Sequence, residues 1–387
     1  MTTQLDVTPP GAVRPRKIWR WIKWSAGGLL LIVFGWLQIS YWTSTNDCGR
    51  PIPAGAEVMK AFKACEYRGP DGLQLADVAK PVPTADQVLV RVRATSLNPV
   101  DGHPIRSGLL PGLMGKRKPK ETAFGTDYAG VVEAVGQNVT QVKPGDEVFG
   151  ARNGAMAEYL CARADRGMVL KPANISFEQA AGVTVAGLTA LQGLRDKGQL
   201  QAGQKILING ASGGVGTFAV QIAKALGAEV TGVCSTRNIE LVRSIGADHV
   251  IDYTKEDYTN GSERYDLIFD LVGNHSYSAR RRVLKPNGVC VLGGIGGAGP
   301  NEGKMLPRIA RIFWSAAISK FGKEKFVFYV AQINKADLEF LRGLMEAGKL
   351  RPVIDREFNF TETPAALRYL EQGHARGKVI VRLDSAT

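Results

Sequence analysis

The chain has 387 residues, which is enough for two domains of ordinary size. Its 44% hydrophobic content is typical of a globular protein and excludes disorder beyond roughly the first dozen residues. The net charge of +13 favours anionic partners such as lipid headgroups or NADP. No nucleic-acid-binding motif accompanies that charge, so we do not expect DNA or RNA as a ligand.

The N-terminal segment divides into a basic arm and an apolar stretch. Residues 1–23 form the arm, and residues 24–42 carry no charge. As a helix, the apolar stretch would span roughly 28 Å, about the hydrocarbon thickness of a bilayer, with aromatic residues at both ends. We therefore expect a retained transmembrane anchor. The alternative is a cleaved signal peptide, although the stretch is long for one and no A-x-A-like site follows it.

The five cysteines argue against a disulfide framework and against a four-thiolate zinc site. They are odd in number and form no C-x-x-C pair. Their positions are Cys48, Cys65, Cys161, Cys234 and Cys290.

Residues 57–170 are predicted to be mostly β-structure. Residues 87–94 alternate apolar and polar side chains, as a half-buried strand does, and 127–136 continue the pattern. Ser176 and Gln179 have the spacing of a capping box, which predicts a helix that leads into a second domain.

A glycine-rich turn follows the apolar strand at 205–209 and opens a helix that Gly227 is placed to end. Glycines permit a tight turn and let backbone N–H groups approach an anion, which a helix N-terminus also favours. We therefore expect a dinucleotide's phosphates at Ala211, Ser212, Gly213, Gly214, Val215 and Gly216. Ala211 replaces the first glycine of the usual G-x-G-x-x-G, so a structural turn in another α/β protein is the alternative.

More strands are predicted after this turn, at 229–236, 248–253, 265–273, 288–294 and 325–330. The helical or turn segments between them predict a parallel, doubly wound sheet. The tail returns to a helix at 337–347 and a strand at 378–382. We therefore expect a nucleotide-binding domain, 176–330, inserted in a β-rich domain formed by 57–175 and 331–387, with a ligand cleft between them.

Six motifs occur in the order found in one enzyme superfamily. They lie at 96–108, 124–136, 144–148, 186–191, 210–224 and 373–381. Together they resemble the medium-chain dehydrogenase/reductase superfamily, specifically its zinc-free, quinone-oxidoreductase-like branch. The resemblance covers residues 57–384 and implies an α/β fold: a Rossmann domain inserted in a GroES-like catalytic domain, with NAD(P)H in the cleft. Dimers are usual in this family, whereas the predicted transmembrane helix is not part of its pattern.

The cofactor preference is predicted by the end of the second strand of the Rossmann domain. An NAD-preferring site places an Asp or Glu there, but this chain has Ser235 and Arg237. Ser235 can hydrogen-bond a 2′-phosphate and Arg237 can pair with it, so we expect NADPH rather than NADH. The alternative for Arg237 is a solvated cation at the start of a helix. Tyr253 matches a family position near the adenosine, or is a surface aromatic.

The zinc ligands of the metal-dependent members are missing from the corresponding positions. Residues 98–101 read Asn-Pro-Val-Asp and 125–127 read Gly-Thr-Asp, without Cys or His. His103 and Cys161 lack a third credible partner, so we expect no zinc. A Lewis acid stabilises the alkoxide that alcohol oxidation needs. We therefore expect hydride delivery to an electron-poor acceptor, a quinone or an enone.

Four residues are candidates for catalysis. We expect Asn98 to orient the carbonyl or the nicotinamide ribose, and Thr189 matches the family threonine that faces the nicotinamide. Tyr128 and Asp101 are further candidates for a proton or hydrogen-bond role. The alternatives are a turn at Asn98 and a capping or packing role for Thr189.

The function predicted is NADPH-dependent reduction of a quinone or an enone. Two alternatives stay open: an NAD(P)-dependent alcohol or ketone oxidoreductase, and a membrane-tethered NADPH-binding sensor or scaffold.

The orientation of the predicted anchor is the next question. The basic arm would place the main domain across the membrane, whereas cofactor supply favours the cytoplasm. We favour a single-pass protein with a cytoplasmic catalytic domain. Residues 304–325 form a basic amphipathic segment that suits either a membrane surface or a protein partner.

Overall fold

The computed structural model describes residues 33–40, 42–43, 45–106, 118–293 and 324–383. Its strands are β1 (Val58–Ala64), β2 (Leu73–Ala79), β3 (Gln87–Leu97), β4 (Asp127–Val135), β5 (Glu147–Ala151), β6 (Tyr159–Arg163), β7 (Met168–Leu170), β8 (Lys205–Asn209), β9 (Glu229–Cys234), β10 (His249–Asp252), β11 (Tyr265–Asp270), β12 (Leu284–Leu292), β13 (Lys325–Phe328), β14 (Ile354–Asn359) and β15 (Lys378–Arg382).

After a helical stretch at 33–40, the α-helices are α1 (Pro99–Arg106), α2 (Phe177–Ala181), α3 (Thr184–Leu191), α4 (Gly214–Ala225), α5 (Ile239–Ser244), α6 (Tyr277–Arg282), α7 (Lys335–Glu346) and α8 (Thr363–Glu371). Single turns of 3₁₀-helix lie at Gly69–Gly72, Thr236–Asn238, Tyr258–Asn260 and Phe360–Glu362, and a π-helical turn lies at Gln192–Lys197.

The nucleotide-binding sheet has six parallel strands in the order β10-β9-β8-β11-β12-β13. Numbered from β8, this is the 3-2-1-4-5-6 order of a doubly wound sheet, which confirms the predicted fold class. The central strand β8 has the predicted bounds. Ile206, Leu207 and Ile208 are fully buried because helices cover both faces of such a sheet, and so the strand is continuously apolar.

The second sheet is built around β3 and contains strands from both ends of the chain. Its order is β14-β15-β3-β4-β5-β7, and β6 also pairs with β3. β15 runs antiparallel to β3, with Val379 opposite Leu97. Lys378, at the start of β15, therefore lies beside Asn98, which follows β3. The last strand of the tail thus pairs with a strand of the first domain.

The link between the two sheets begins at the predicted capping box. The Ser176 hydroxyl accepts from the Gln179 N–H, and the Gln179 side chain accepts from the Ser176 N–H. α2 and α3 then lead into β8. α7 follows the predicted domain boundary at 330, yet Leu338, Leu341 and Met345 lie in the same hydrophobic cluster as the core of the nucleotide-binding sheet.

The membrane prediction is wrong. Among the described residues, every helix is too short or too polar to cross a bilayer. Crossing takes about 20 helical residues, and the described helical residues of the predicted span are 33–40 and 42. The single-pass anchor at 24–42 and the membrane-bound, cytoplasmic placement of the catalytic domain are therefore corrected. Residues 1–32 and 304–323 lie outside the described residues, and the lipid contact predicted for 304–325 stays a prediction.

The cysteine count did not predict the disulfide between Cys48 and Cys65. An odd number of cysteines leaves at least one thiol unpaired, but it does not prevent a single bridge. Around the bridge, the Asn46 amide donates to the Cys65 carbonyl (2.9 Å), and the Lys63 ammonium donates to the Asp47 carbonyl (2.6 Å). These bonds tie the segment before β1 to the end of that strand. The other cysteines are buried free thiols: Cys161, Cys234 and Cys290.

Candidate functional site

The glycine-rich turn follows β8 and begins one residue before the predicted set. Gly210 has φ +90°, a conformation that favours glycine. The glycine that the turn requires is therefore Gly210, one residue before Ala211. Ala211 is fully buried, and its N–H donates to the Val233 carbonyl (3.0 Å). A Cβ on Gly216 would lie 2.1 Å from the Gly210 oxygen, so α4 approaches the turn as closely as only glycine permits.

The first turn of α4 is the candidate phosphate site. Gly213 is its N-cap and offers no side-chain cap. The N–H groups of the first turn, at Gly214, Val215 and Gly216, have no partner within the helix. Backbone donors and the positive end of a helix dipole together favour a pyrophosphate there. The residues present therefore fit the dinucleotide that the sequence predicts.

The side of the crevice where the sequence predicts the adenosine is organised by Asn238, which sequence reasoning missed. Its amide Nδ2 donates to the hydroxyls of Ser212 (2.9 Å) and Ser235 (3.2 Å), and so joins the glycine turn to the end of β9. Asn238 is buried, and its Oδ1 has no hydrogen-bond partner among the described residues. An unpartnered buried acceptor beside the turn is a further feature that fits a ligand with hydroxyl donors.

Arg237 lies beside this crevice and contacts the other domain. Its guanidinium donates to the His374 carbonyl (2.9 Å), and the Arg376 guanidinium donates to the Arg237 carbonyl (3.0 Å). Two exposed cations from different domains therefore lie together, close in sequence to Ser235. Arg376 was missed because it lies 139 residues from Arg237 and sequence spacing carries no signal for such a pair.

The end of β10 lies next to the end of β9. The Tyr253 N–H donates to the Cys234 carbonyl (3.0 Å), and the Tyr253 side chain is 60% exposed. The neighbouring Asp252 carboxylate accepts hydrogen bonds from Thr236 (2.5 Å) and Thr254 (2.7 Å). These bonds, first that from Thr236, hold the pKa of Asp252 below its usual range. The Asp252 carboxylate is therefore ionised and hydrogen-bonded to the two threonine hydroxyls.

A buried ion pair shapes the opposite wall, where the winding of the sheet reverses. The Asn209 amide, at the end of β8, donates to Asp270 at the end of β11 (2.9 Å). Asp270 also accepts from the N–H groups of Val272 and Gly273, and pairs with Arg280 at 2.7 Å. Ligands of doubly wound sheets bind in the crevice at this reversal. Sequence reasoning did not identify this network.

Four buried polar residues meet where the two domains join, and we call Ser96, Asn98, Asp127 and Lys378 the junction cluster. The Asn98 amide donates to Asp127 Oδ2 (2.9 Å), and the Lys378 ammonium donates to Asn98 Oδ1 (2.5 Å). Ser96 donates to the same Asp127 oxygen (3.0 Å). Lys378 Nζ lies 3.6 Å from Asp127 Oδ2. Burial raises the pKa of Asp127 and lowers that of Lys378, and each opposes the shift of the other.

Asp101 supports the cluster from α1. Its carboxylate accepts from the Asn98 N–H (2.7 Å) and from the Thr126 hydroxyl (2.7 Å), so both of its oxygens are used. Burial, with a smaller contribution from the charge of Asp127, raises the pKa of Asp101 to about 6 against those hydrogen bonds. The structure thus brings two predicted residues, Asn98 and Asp101, into contact.

Thr189 lies on α3, which Asp127 also holds. Asp127 Oδ1 accepts from the Val185 N–H at the start of the helix (3.0 Å), and the Thr189 hydroxyl donates to the Val185 carbonyl (2.7 Å). The hydroxyl of Tyr329 donates to the Thr189 carbonyl. The half-buried Thr189 hydroxyl keeps its acceptor capacity, because its hydrogen is used within the helix.

Tyr128 is separated from the other candidates by the alternation of a strand. Asp127 and Tyr128 are neighbours on β4, so their side chains point to opposite faces of the sheet. Tyr128 is fully buried in a hydrophobic cluster with Val88 and Val148, and its hydroxyl has no partner among the described residues. Burial raises its pKa far above the usual value. Its predicted catalytic role stays a prediction.

The described part of the chain contains no group of three His, Cys, Asp or Glu side chains that could hold a metal ion. Cys161 lies buried on β6, and burial raises the pKa of its thiol. The His103 side chain lies outside the described residues. The carboxylate at the position of the zinc ligands is instead Asp127, which lies beside the ammonium of Lys378.

Two family models match the chain. Residues 84–174 match an alcohol dehydrogenase GroES-like domain, and residues 245–381 match a zinc-binding dehydrogenase. An NADPH-dependent alkenal/one oxidoreductase of Arabidopsis thaliana is 35% identical over 89% of this chain and 86% of its own length.

Two solved quinone oxidoreductases have a similar structure. That of Coxiella burnetii has a TM-score of 0.72 and 31% identity, and covers 84% of this chain and all of its own. That of Escherichia coli, complexed with NADPH, has a TM-score of 0.69 and 26% identity over the same shares.

Proposed function

We propose, since this chain belongs to the quinone-oxidoreductase-like members of the medium-chain dehydrogenase/reductase superfamily, that it is an NADPH-dependent oxidoreductase that reduces a quinone or an α,β-unsaturated carbonyl. One observation carries the proposal. The first turn of the phosphate-binding helix and the junction cluster touch, because a Cβ added to Gly214 would lie 3.3 Å from Lys378 Cδ. A dinucleotide bound at that turn therefore extends towards a cluster of oriented polar groups from the other domain.

The preference for NADPH over NADH rests on the charge at the adenosine side. Ser235 offers a hydroxyl, Arg237 offers a guanidinium, and Arg376 adds a second guanidinium beside it. Guanidinium groups bind phosphate through parallel N–H donors, whereas the NAD ribose would call for a carboxylate. Tyr253 is proposed to cover the adenosine from the end of β10.

The chemistry divides between cofactor and protein. NADPH, when bound, supplies the hydride, and the reduced enone gains it at the β-carbon and a proton at the α-carbon. Asn98 has a second amide hydrogen that Asp127 does not take, and we propose that it donates to the acceptor carbonyl or to the nicotinamide ribose. Thr189, with its free lone pairs, is proposed to accept from the ribose or the carboxamide. The Asp101 carboxylate is proposed to hold Asn98 in place by accepting the hydrogen bond from the Asn98 N–H.

We propose that the reaction runs without zinc, although one matching family model is described as zinc-binding. The donor set does not fit the metal, since Asn98, Asp101 and Asp127 supply no sulfur or imidazole. The Lys378 ammonium, 3.6 Å from Asp127, already neutralises that carboxylate and would repel a second cation.

We also propose that two copies associate, as is usual in the family. β13 ends the six-stranded sheet, and its outer edge pairs with no strand of the described residues. An open edge strand is a template for pairing with another chain. Light scattering of the purified protein tests this, with a dimer mass expected and a monomer mass contradicting it.

A substrate panel tests the function. The purified full chain is mixed with NADPH or NADH and with quinones, enones or aldehydes, and separately with NADP and alcohols, while absorbance at the nicotinamide band is followed. We expect NADPH consumption with quinones or enones, unchanged after dialysis against a chelator. Turnover of alcohols, or loss of activity on chelation, favours a metal-assisted alcohol dehydrogenase. NADPH binding without oxidation by any acceptor favours a sensor or scaffold.

A further inference from the structure

Lys378 is a buried cation with no role in the sequence-based site. Its side chain is 3% exposed, and the residue begins β15 with its N–H donated to the Val353 carbonyl (2.8 Å). Burying an ammonium is unfavourable unless its charge and donors find partners. The choice of partners therefore indicates what the lysine does.

The head of Lys378 determines which way the Asn98 amide points. Lys378 Nζ is a donor only and lies 2.5 Å from Asn98 Oδ1, while Asp127 Oδ2 accepts from Asn98 Nδ2 at 2.9 Å. A flipped amide would set N–H groups against the ammonium and an oxygen against the carboxylate. The ion pair therefore permits one orientation of the Asn98 side chain.

The stem of Lys378 links this amide to the phosphate-binding helix. A Cβ added to Gly182 would lie 3.3 Å from Lys378 Cγ. A Cβ added to Gly214 would lie 3.3 Å from Lys378 Cδ. Gly182 ends α2, and Gly214 begins α4. One side chain therefore passes between the interdomain link and the first turn of the nucleotide helix, and ends on Asn98.

We propose that Lys378 is a positioning residue that fixes the Asn98 carboxamide relative to the first turn of α4, with Asp127 as its counter-charge. This inference rests on the proposed function, in which Asn98 contacts the nicotinamide or the acceptor. Lys378 holds the amide against a rigid helix start, so the distance between the cofactor and the group that orients the acceptor is set by one buried contact. Misplacement of such a group by about 1 Å can lower a rate by about a hundredfold.

The test compares Lys378→Met, Asn98→Ala and the double variant. Methionine keeps most of the stem that packs on Gly214 but removes the ammonium. We expect each single variant to lower kcat by about ten- to a hundredfold, while the KM and the Kd for NADPH stay within about threefold. Because Lys378 acts through Asn98, the double variant should be no slower than Asn98→Ala by more than about twofold.

The matched control is Lys171→Met. Lys171 is likewise buried in the catalytic domain, at 5% side-chain exposure, but it donates to the Ile175 carbonyl and pairs with Glu147. We expect its kcat to equal that of the unaltered protein.

If Lys378→Met does not fold, Lys378→Gln, which keeps a neutral donor, replaces it in the same cycle. A crystal structure of the Lys378 variant adds a readout independent of turnover, in which the Asn98 carboxamide should have shifted relative to the first turn of α4.

The outcomes separate the two proposals. Normal turnover in Asn98→Ala contradicts the proposed role of Asn98, and with it the role of Lys378. A slow Asn98→Ala with a normal Lys378→Met, or multiplicative losses in the double variant, overturns the Lys378 inference alone. If the unaltered protein oxidises no NADPH, the proposed function fails, and an unchanged position of the Asn98 carboxamide in the variant crystal structure then overturns the inference about Lys378.

Discussion

The phosphate turn and the junction cluster meet at Gly214, but they are assembled in opposite ways. The turn occupies seven consecutive residues, 210–216, between one strand and one helix. In the junction cluster, Asn98 and Asp127 are 29 residues apart and Asn98 and Lys378 are 280 apart. Local sequence therefore determines the turn, whereas the cluster exists only once β3, β4 and β15 have paired in the second sheet. The proposed reaction needs both, because we propose that one binds the dinucleotide and the other orients the acceptor of its hydride.

The largest effect is expected from a change in the turn itself, Gly216→Val. Its Cβ would lie 2.1 Å from the Gly210 oxygen and 2.8 Å from the Ala211 backbone, so α4 must move away from β8. We expect loss of NADPH binding and a fall of about 3 kcal/mol or more in the free energy of unfolding. Urea denaturation and NADPH fluorescence measure the two. The control is Gly343→Ala on α7, where nothing lies within 4 Å and stability should rise by up to about 1 kcal/mol. Unchanged NADPH binding in Gly216→Val would contradict a turn determined by local geometry.

A region remote from both sites separates stability from function. Replacing Cys48 and Cys65 by serine removes a bridge across 17 residues, which should lower the free energy of unfolding by about 3 kcal/mol. We expect kcat/KM at 25 °C to stay the same, because the bridge holds the segment before β1. A reducing agent should destabilise the unaltered protein by the same amount and leave the double variant unchanged. A large loss of kcat/KM would show that this segment supports the site.

The carboxylate beneath the junction cluster gives the cluster a pH signature. Burial raises the pKa of Asp101 to about 6, so between about pH 4 and pH 6 the folded protein holds a proton that the unfolded chain has released. The stability contribution of this group is therefore complete below pH 4 and falls by at most about 3 kcal/mol as the pH rises through 6. Asp101→Asn should lack that fall. Urea denaturation of the unaltered protein and of Asp101→Asn at pH 4.5 and pH 7 measures this fall as the difference between their changes in stability. Parallel pH profiles of the two proteins would contradict the raised pKa of Asp101.

The smallest effect concerns the choice of cofactor. Arg237→Ala should lower kcat/KM for NADPH by about tenfold to a hundredfold and leave that for NADH unchanged, because hydrogen bonds to charged groups contribute about 1.5–3 kcal/mol. Arg243→Ala is the control, since that exposed arginine pairs with Glu240 on α5. Equal losses with both cofactors would remove Arg237 from the 2′-phosphate site.

The same contrast explains what could be predicted. The bounds of β8 and β15, the capping box at Ser176 and the helix end at Gly227 were predictable because each depends on neighbouring residues. Asn98 and Asp101 were identified through motifs, but the bonds of Asn98 to Asp127 and Lys378 depend on the register of β4 and β15 with β3. No local pattern carries that register.

The failures have the same origin. The transmembrane prediction rested on the apolar composition of 24–42, and composition alone does not establish a helix of the roughly 20 residues that crossing takes. The cysteine argument counted thiols without knowing which were neighbours, and Cys48 and Cys65 become neighbours only when the N-terminal segment packs against β1. Asn238 and Arg376 were missed because Ser212 lies 26 residues from Asn238 and Arg237 lies 139 residues from Arg376.

The most direct measurement follows the hydride itself. The full chain is incubated with NADPH carrying deuterium at C4, prepared as each of the two epimers, together with an enone that the substrate panel shows to be reduced. Mass spectrometry and NMR of the product should find deuterium at the β-carbon from one epimer only, and a solvent-derived hydrogen at the α-carbon. NADPH consumption that leaves no deuterium in the product from either epimer would contradict direct hydride delivery from a dinucleotide held at 210–216.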